Sequence, residues 1–407
     1  LDMSLMSTLL SNAQAICNFG VVSVHFGRCA GMNFRCFQYG SLGGVFSSGG
    51  LANTSIYNFV NRLVIVCEPM AMASTIVGIG VWHARVSGAR AGGLALAECI
   101  RPALAAIVVE FCVSAPVDAI TRLLYGGYKT TTSHLWFLWM IAIAYATIAL
   151  LQLPGRGARP QHAHFARASW VYVCVLVFVA FPVIAHLSWP SVNAMSPQAR
   201  SKLWFGTTFH ISQRGWDSLG VRALVYVPFV VLGSAHAEGI LRIVAAWRRR
   251  RWVRVACAAA LALTSYFTTF FRKGLDLRTE ASMVLNTAAD EYPALPVFAS
   301  SDNYLLLCVK QAIQYLGMGT MCLIFLAATP SSQIPVLTKL GSFPQYAYVF
   351  HPHVLALGEP LFFGVIKVFA SVPALRPLCI PIQLGIPAAV MVGLTWPFIA
   401  GGWWGAG

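Results

Sequence analysis

Residues 134–153 read HLWFLWMIAIAYATIALLQL, a run with no Asp, Glu, Lys or Arg. Coiled at 1.5 Å per residue, about twenty residues reach about 30 Å, the thickness of a bilayer's hydrocarbon layer. Lipid offers no water to backbone N–H and C=O groups, so a crossing segment must pair them internally, as a helix does. A membrane β-strand would alternate apolar and polar side chains. Neither Ile141–Leu153 nor the next apolar run, Val171–Ile184 (VYVCVLVFVAFPVI), alternates. Both read as membrane-spanning helix.

The rest of the chain extends the pattern. Of 407 residues, 57% are hydrophobic and 10% are charged, and the mean hydropathy is +0.68. Soluble domains carry roughly 25% charged residues because their surface faces water. Apolar spans fall at 13–27, 59–82, 94–120, 134–153, 170–190, 221–238, 253–271, 304–328, 343–370 and 378–400. The first is expected to extend toward residue 6; the eighth, with Lys310, Gln311 and Gln314, is expected to be amphipathic or partly buried. The predicted architecture is an all-α polytopic membrane protein with about ten transmembrane helices in one bundle. It forms a single domain over 1–407, with longer polar loops at 28–58, 191–220 and 272–303. No internal repeat is visible, which argues against a transporter built from inverted halves. The chain opens at Leu1 rather than Met, and a preceding segment is expected.

A net charge of +15 invites a nucleic-acid partner. The basic residues sit instead in short connections between apolar runs, as membrane loops require, so the expected partner is the lipid bilayer and no nucleic acid. Connections 83–93, 154–169, 239–252 and 329–342 are short; the first three are rich in arginine, including the tetrad Arg248–Arg251, and the last carries Lys339. The opposite set holds most of the loop acids (Asp276, Glu280, Asp290, Glu291, Asp302) and a sequon, Asn53-Thr54-Ser55. The positive-inside rule therefore places both termini on the cytoplasmic or equivalent side. The tetrad reads first as a topology anchor and second as a cradle for anionic head groups or cofactor phosphates. The 11 cysteines are scattered without a CxxC pair; Cys112, Cys174, Cys257 and Cys322 are expected as small core residues. Cys29 and Cys36 would pair only in an oxidising compartment.

Orientation then groups several imidazoles. His25 falls at the outer end of the first span, His134 and Trp136 at the outer start of the fourth, and His186 at the outer end of the fifth. His210 and Arg214 follow in the loop beyond. Imidazole titrates near operating pH and suits general-base work, and ionisable groups in spans are costly enough to point to function. Simple interfacial residency of His134 and His186 stays open. His162 and His164 are expected solvated in a basic loop, and Trp139, Trp170 and Trp189 read as interfacial anchors. His351 and His353 are spaced i, i+2 and so point to different helix faces, and no metal is expected.

Three stretches resemble the membrane-bound acyltransferase-3 family. Ala15–His25 (AICNFGVVSVH) is similar to its opening helix, a hydrophobic run through a Val-Val pair to a histidine. Ser133–Leu138 (SHLWFL), continuing to Tyr145, is similar to its HLWFL…Y stretch. Leu340–Pro352 (LGSFPQYAYVFHP) is similar to its LG-x-x-SY-x-x-Y-L-x-HP segment, and Ile100-Arg101-Pro102 to the start of its third span. The resemblance implies transfer of an acyl group, usually acetyl, from acyl-CoA to a carbohydrate or lipid-linked hydroxyl. It implies His25, His134 and Trp136 as the catalytic group, Phe137, Tyr145, Tyr348 and His351 as substrate-binding residues, and Arg101 as the partner of cofactor phosphates. Gln14 stands where the family carries an arginine, which removes a permanent cation. Gln345-Tyr346 replaces its Ser-Tyr pair. A catalytically diverged structural subunit of a larger membrane complex, with protein partners, is the alternative.

Overall fold

The computed structural model describes residues 3–31, 78–81, 136–152, 161–180, 216–270, 304–342 and 344–400, with isolated positions between 101 and 123 and at 183. All regular secondary structure among the described residues is helical: α1 (Met3–Gly31), α2 (Trp136–Gln152), α3 (Gln161–Val175), α4 (Trp216–Ala235), α5 (Ala237–Arg249), α6 (Arg251–Phe270), α7 (Tyr304–Ala328), α8 (Pro335–Ser342), α9 (Pro344–Ser371) and α10 (Cys379–Ala400). A π-helical turn, Leu176–Ala180, continues α3, and a 3-10 turn, Pro373–Leu378, joins α9 to α10.

α1 is buried on two opposite faces, as an apolar helix must be when it sits inside a bundle. Leu9, Ala13, Cys17 and Val21, each one turn apart, belong to the larger core with Met140, Ile148, Val173, Tyr226, Val230, Leu241 and Phe325. Across the helix, Ala15, Phe19, Val22 and Phe26 pack into two smaller cores with α8, α9 and α10. Ala15 shares a cluster with Ala347 and Met391, and Phe26 meets Phe362 edge-on at 6.2 Å. α1 and α9 therefore run parallel, and α10 returns antiparallel, with Cys379 of α10 beside Ile366 of α9. Residues 78–81 lie between α1 and α4: a Cβ on Gly78 would meet Leu10, and one on Gly80 would overlap the Val230 carbonyl and stand 2.7 Å from the Ser234 amide nitrogen. α2 packs principally on α4.

The expected spans and the observed helices diverge where polar residues hide helical periodicity. α7 coincides with the predicted 304–328, α9 is shifted by one residue at each end of its span, and α10 begins one residue later than its own. α3 begins at Gln161, so His162 and His164 stand on a helix rather than in a loop, although His164 is exposed as expected. The supposed loop 239–252 is largely α5, which buries Ala237, Leu241 and Val244 at helical spacing. Supposed loop 329–342 contains α8. Cys257 and Cys322 are buried, but Cys112 and Cys174 are exposed, contrary to their expected core positions. The second and third spans lie largely outside the described residues.

Among the described residues, one helix is long and apolar enough to cross a membrane, Ala163–Ala180, in which 22% of positions are buried. The pair Tyr226–Ala235 and Ala237–Arg249 would be a second if counted as one span, but it bends by 87°. The bend follows the Gly233-Ser234 pair, a common cause of sharp kinks. It is carried by His236, whose N–H donates to the Leu232 carbonyl at 2.9 Å and whose carbonyl accepts from Ile240 at 3.0 Å. The Trp170 ring, 52% exposed, lies 5.5 Å from that of His236.

The linker 329–334 between α7 and α8 is tied down from both sides. Asn12, wholly buried on α1, donates through Nδ2 to the carbonyls of Pro330 (2.8 Å) and Ser332 (3.1 Å) and accepts from Thr338 Oγ1 at 2.7 Å. Arg248 of α5 donates to the carbonyls of Leu326 (3.4 Å), Ala327 (3.0 Å) and Thr329, and to Ser331 Oγ (2.8 Å). The last carbonyls of a helix have no partner within it, and Arg248 serves those of α7. Its burial, and after that the charge of Arg254, pushes the guanidinium below its ordinary value, yet arginine stays charged in proteins. Removing the buried Asn12 amide takes the donor from the Pro330 and Ser332 carbonyls and the acceptor from Thr338, so Asn12→Ala is expected to cost about 2 kcal/mol. Thermal unfolding of purified protein measures it; a melting temperature equal to wild type would show that the amide ties nothing.

Candidate functional site

Most of the buried polar residues among the described ones lie on α1, α9 and α10, the others being Ser169, Ser234 and Thr329. Asn18 and Ser23 of α1, His351 and His353 of α9 and Thr395 of α10 are all buried. The residue pairs that fix the parallel register put His351 level with Asn18 and Phe19 of α1. Helical spacing also sets Gln14, Asn18 and His25 on one face of α1 (i, i+4, i+11), a polar stripe along that helix. Along that axis the His25 position is about 9 Å beyond the His351 level.

His351 is the most defined of these groups. It has no exposed surface, and its Nδ1 lies 2.8 Å from the Ala347 carbonyl. A carbonyl only accepts, so Nδ1 carries the proton and the neutral ring's lone pair is on Nε2. Tyr348 stands one helical step away, its ring centroid 6.2 Å from that of His351. Pro352 follows directly; having no N–H, it offers nothing to the Tyr348 carbonyl one turn back. A buried imidazole of fixed tautomer beside a phenol can orient a hydroxyl or move a proton. On α10, Thr395 Oγ1 donates to the Met391 carbonyl at 2.8 Å, while the buried Ser23 Oγ has no hydrogen-bond partner among the described residues.

The remaining predicted site residues distribute as follows. Tyr145 is buried on α2 in the larger core, which also holds Tyr348. Arg101 is exposed. His25, Trp136 and Phe137 lie on α1 and α2, with side chains outside the described residues, and His134, His186, His210 and Arg214 lie wholly outside them. Among the described residues no three His, Cys, Asp or Glu side chains cluster as a metal site would need.

Two features were not anticipated from sequence. Gly341, in the family-like LGSFPQYAYVFHP stretch, lies where a Cβ would overlap the Ser11 carbonyl of α1, so part of that motif serves packing. Arg248 caps α7 rather than standing free, which leaves three of the tetrad, Arg249, Arg250 and Arg251, exposed. The signal for Gly341 was available, since a glycine in an apolar helix often marks close backbone approach. No family model, curated protein or solved structure matches the chain.

Proposed function

We propose that the chain is a multi-pass membrane O-acyltransferase, crossing the bilayer about ten times and moving an acyl group, acetyl first, from acyl-CoA to a carbohydrate or lipid-linked hydroxyl. The observation that carries the chemistry is the buried, tautomer-fixed His351 beside Tyr348, on the helix that most resembles the acyltransferase segment. The membrane reading draws on a molecule that is apolar outside as well as inside. Leu305 and Leu316 of α7 are each 71% exposed, and Leu361, Val368, Val171 and Leu150 also face outward. Large apolar side chains exposed in this number suit lipid better than water.

In this proposal the acceptor O–H gives its proton to the neutral imidazole of His25 as its oxygen bonds to the thioester carbonyl carbon. The carbon–sulfur bond breaks, and the CoA thiolate leaves with the proton returned by the imidazolium. His134 supplies a second imidazole in the same layer, and Trp136, Phe137 and Tyr145 wall the acyl group. Tyr348 and His351 orient the acceptor, and exposed Arg101 meets the cofactor phosphates.

Purified wild type and His25→Ala, assayed for thiol release from acetyl-CoA with carbohydrate acceptors, should differ by about 100-fold or more, the usual contribution of a general base. Equal turnover removes His25 from the mechanism. His351→Asn keeps a donor for the Ala347 carbonyl but loses Nε2. It should raise KM for the acceptor about tenfold, as for one lost hydrogen bond, with kcat and melting temperature unchanged. An unaltered KM would take His351 out of acceptor binding. No turnover in wild type, together with stoichiometric co-purification of another protein, is the outcome that favours the structural-subunit alternative.

A further inference from the structure

We propose that the corner between α5 and α6 binds anionic phospholipid head groups, an inference that rests on the membrane reading above. The chain there reads Arg249-Arg250-Arg251-Trp252-Val253-Arg254. Arg248 is engaged at the end of α7, but Arg249, Arg250, Arg251 and Arg254 are exposed. Among the described residues, nothing on the neighbouring elements neutralises them. Between Glu238 and Asp276 the chain has no acid, and Glu238 already pairs with Arg242 at 2.7 Å. α7, which packs against both α5 and α6, contains no Asp or Glu, and the acid of α4, Asp217, is at its opposite end. Four guanidinium groups without a counterion among the described residues suit an external anion, and their planar forks match phosphate oxygens.

Lipid is favoured over a soluble phosphate by what lies among the arginines. Trp252 is 66% exposed and Val255 62%, apolar surface set directly beside the cations. An indole beside cations is the usual composition of a membrane interface. The 87° bend at His236 adds geometry. If α4 crosses the bilayer, α5 must lie along its surface, which carries the α5–α6 corner to head-group depth.

The test uses the full chain reconstituted in vesicles of phosphatidylcholine, with or without phosphatidylserine. After carbonate washing, the protein is extracted and its retained lipid is identified by native mass spectrometry. Each arginine near an anionic surface strengthens binding about fivefold, so R249Q/R250Q/R251Q/R254Q should lose the phosphatidylserine preference by tenfold or more, roughly. R242Q, whose parent guanidinium is paired with Glu238, should keep it. A wild type that stays in washed vesicles without preferring phosphatidylserine overturns the inference and leaves the membrane reading standing. So does an unchanged quadruple variant, or displacement of the lipid by inorganic phosphate or heparin, which would identify a soluble anion as the ligand. Loss of wild type from the washed vesicles removes the membrane reading and the inference with it.

Discussion

Gly341→Ala is expected to cost about 4 kcal/mol or more, the range reached when a core is overpacked against backbone. The added methyl would occupy the space of the Ser11 carbonyl, and its next neighbours are the Ser11 carbonyl carbon and Cα. Backbone inside a helix cannot rotate away as a side chain can, so α1 and α8 would have to separate. Separation would also strain the bonds from Asn12 to Pro330, Ser332 and Thr338 one residue away. Other glycines supply the controls. Gly80→Ala, facing Val230–Ser234 of α4, should be as damaging. Gly358→Ala meets only the Phe362 ring, which can move, and should cost less. Gly393 has nothing within 4 Å of its added carbon. Gly393→Ala should therefore be neutral or stabilising by up to about 1 kcal/mol from helix propensity. Thermal unfolding in one detergent ranks the four, and a G341A protein as stable as G393A would mean that α1 and α8 do not touch as described.

Arg248→Ala should cost about 3 kcal/mol, because it removes charge-assisted bonds and leaves carbonyls at the end of α7 without donors. Arg248→Lys should recover little of this. A single ammonium cannot span the carbonyls of Leu326, Ala327 and Thr329 together with Ser331 Oγ, whereas the guanidinium reaches all four. Arg249→Ala, one residue on and exposed, should change stability by less than about 0.5 kcal/mol. The contrast separates a cap from a generic basic loop, in which all four arginines would be interchangeable. Equal melting temperatures for R248A and R249A would erase the cap.

Legibility in sequence tracked how far each determinant lay from its partner. α7, α9 and α10 were readable because a long apolar run ends where polar or helix-breaking residues begin, a purely local signal. α5 was read as a loop because arginine density masked Ala237, Leu241 and Val244, which recur at helical spacing. The first turns of α3 were missed for the same reason, with His162, His164 and Arg167 suggesting solvent while the backbone was already helical. The role of Arg248 was not legible, since its acceptors lie 78 to 83 positions later. Tyr348 and His351 stand together in the resembling motif and are neighbouring rings in the fold, but the carbonyl that fixes the His351 tautomer emerges only from helix geometry. The stripe of Gln14, Asn18 and His25 was present in the spacing and was overlooked, because Gln14 was weighed only as a missing arginine.

The bonds of Asn12 span 318 to 326 positions. A ribosome adding about 5–20 residues each second needs roughly half a minute to produce the acceptors after α1 has emerged. Throughout that interval the first segment made lacks these partners, so the order of synthesis places this tie among the last to form, a delay that equilibrium stability does not record. Synthesis arrested before Pro330 would leave an N-terminal helix with a stranded amide, a ready mark for disposal.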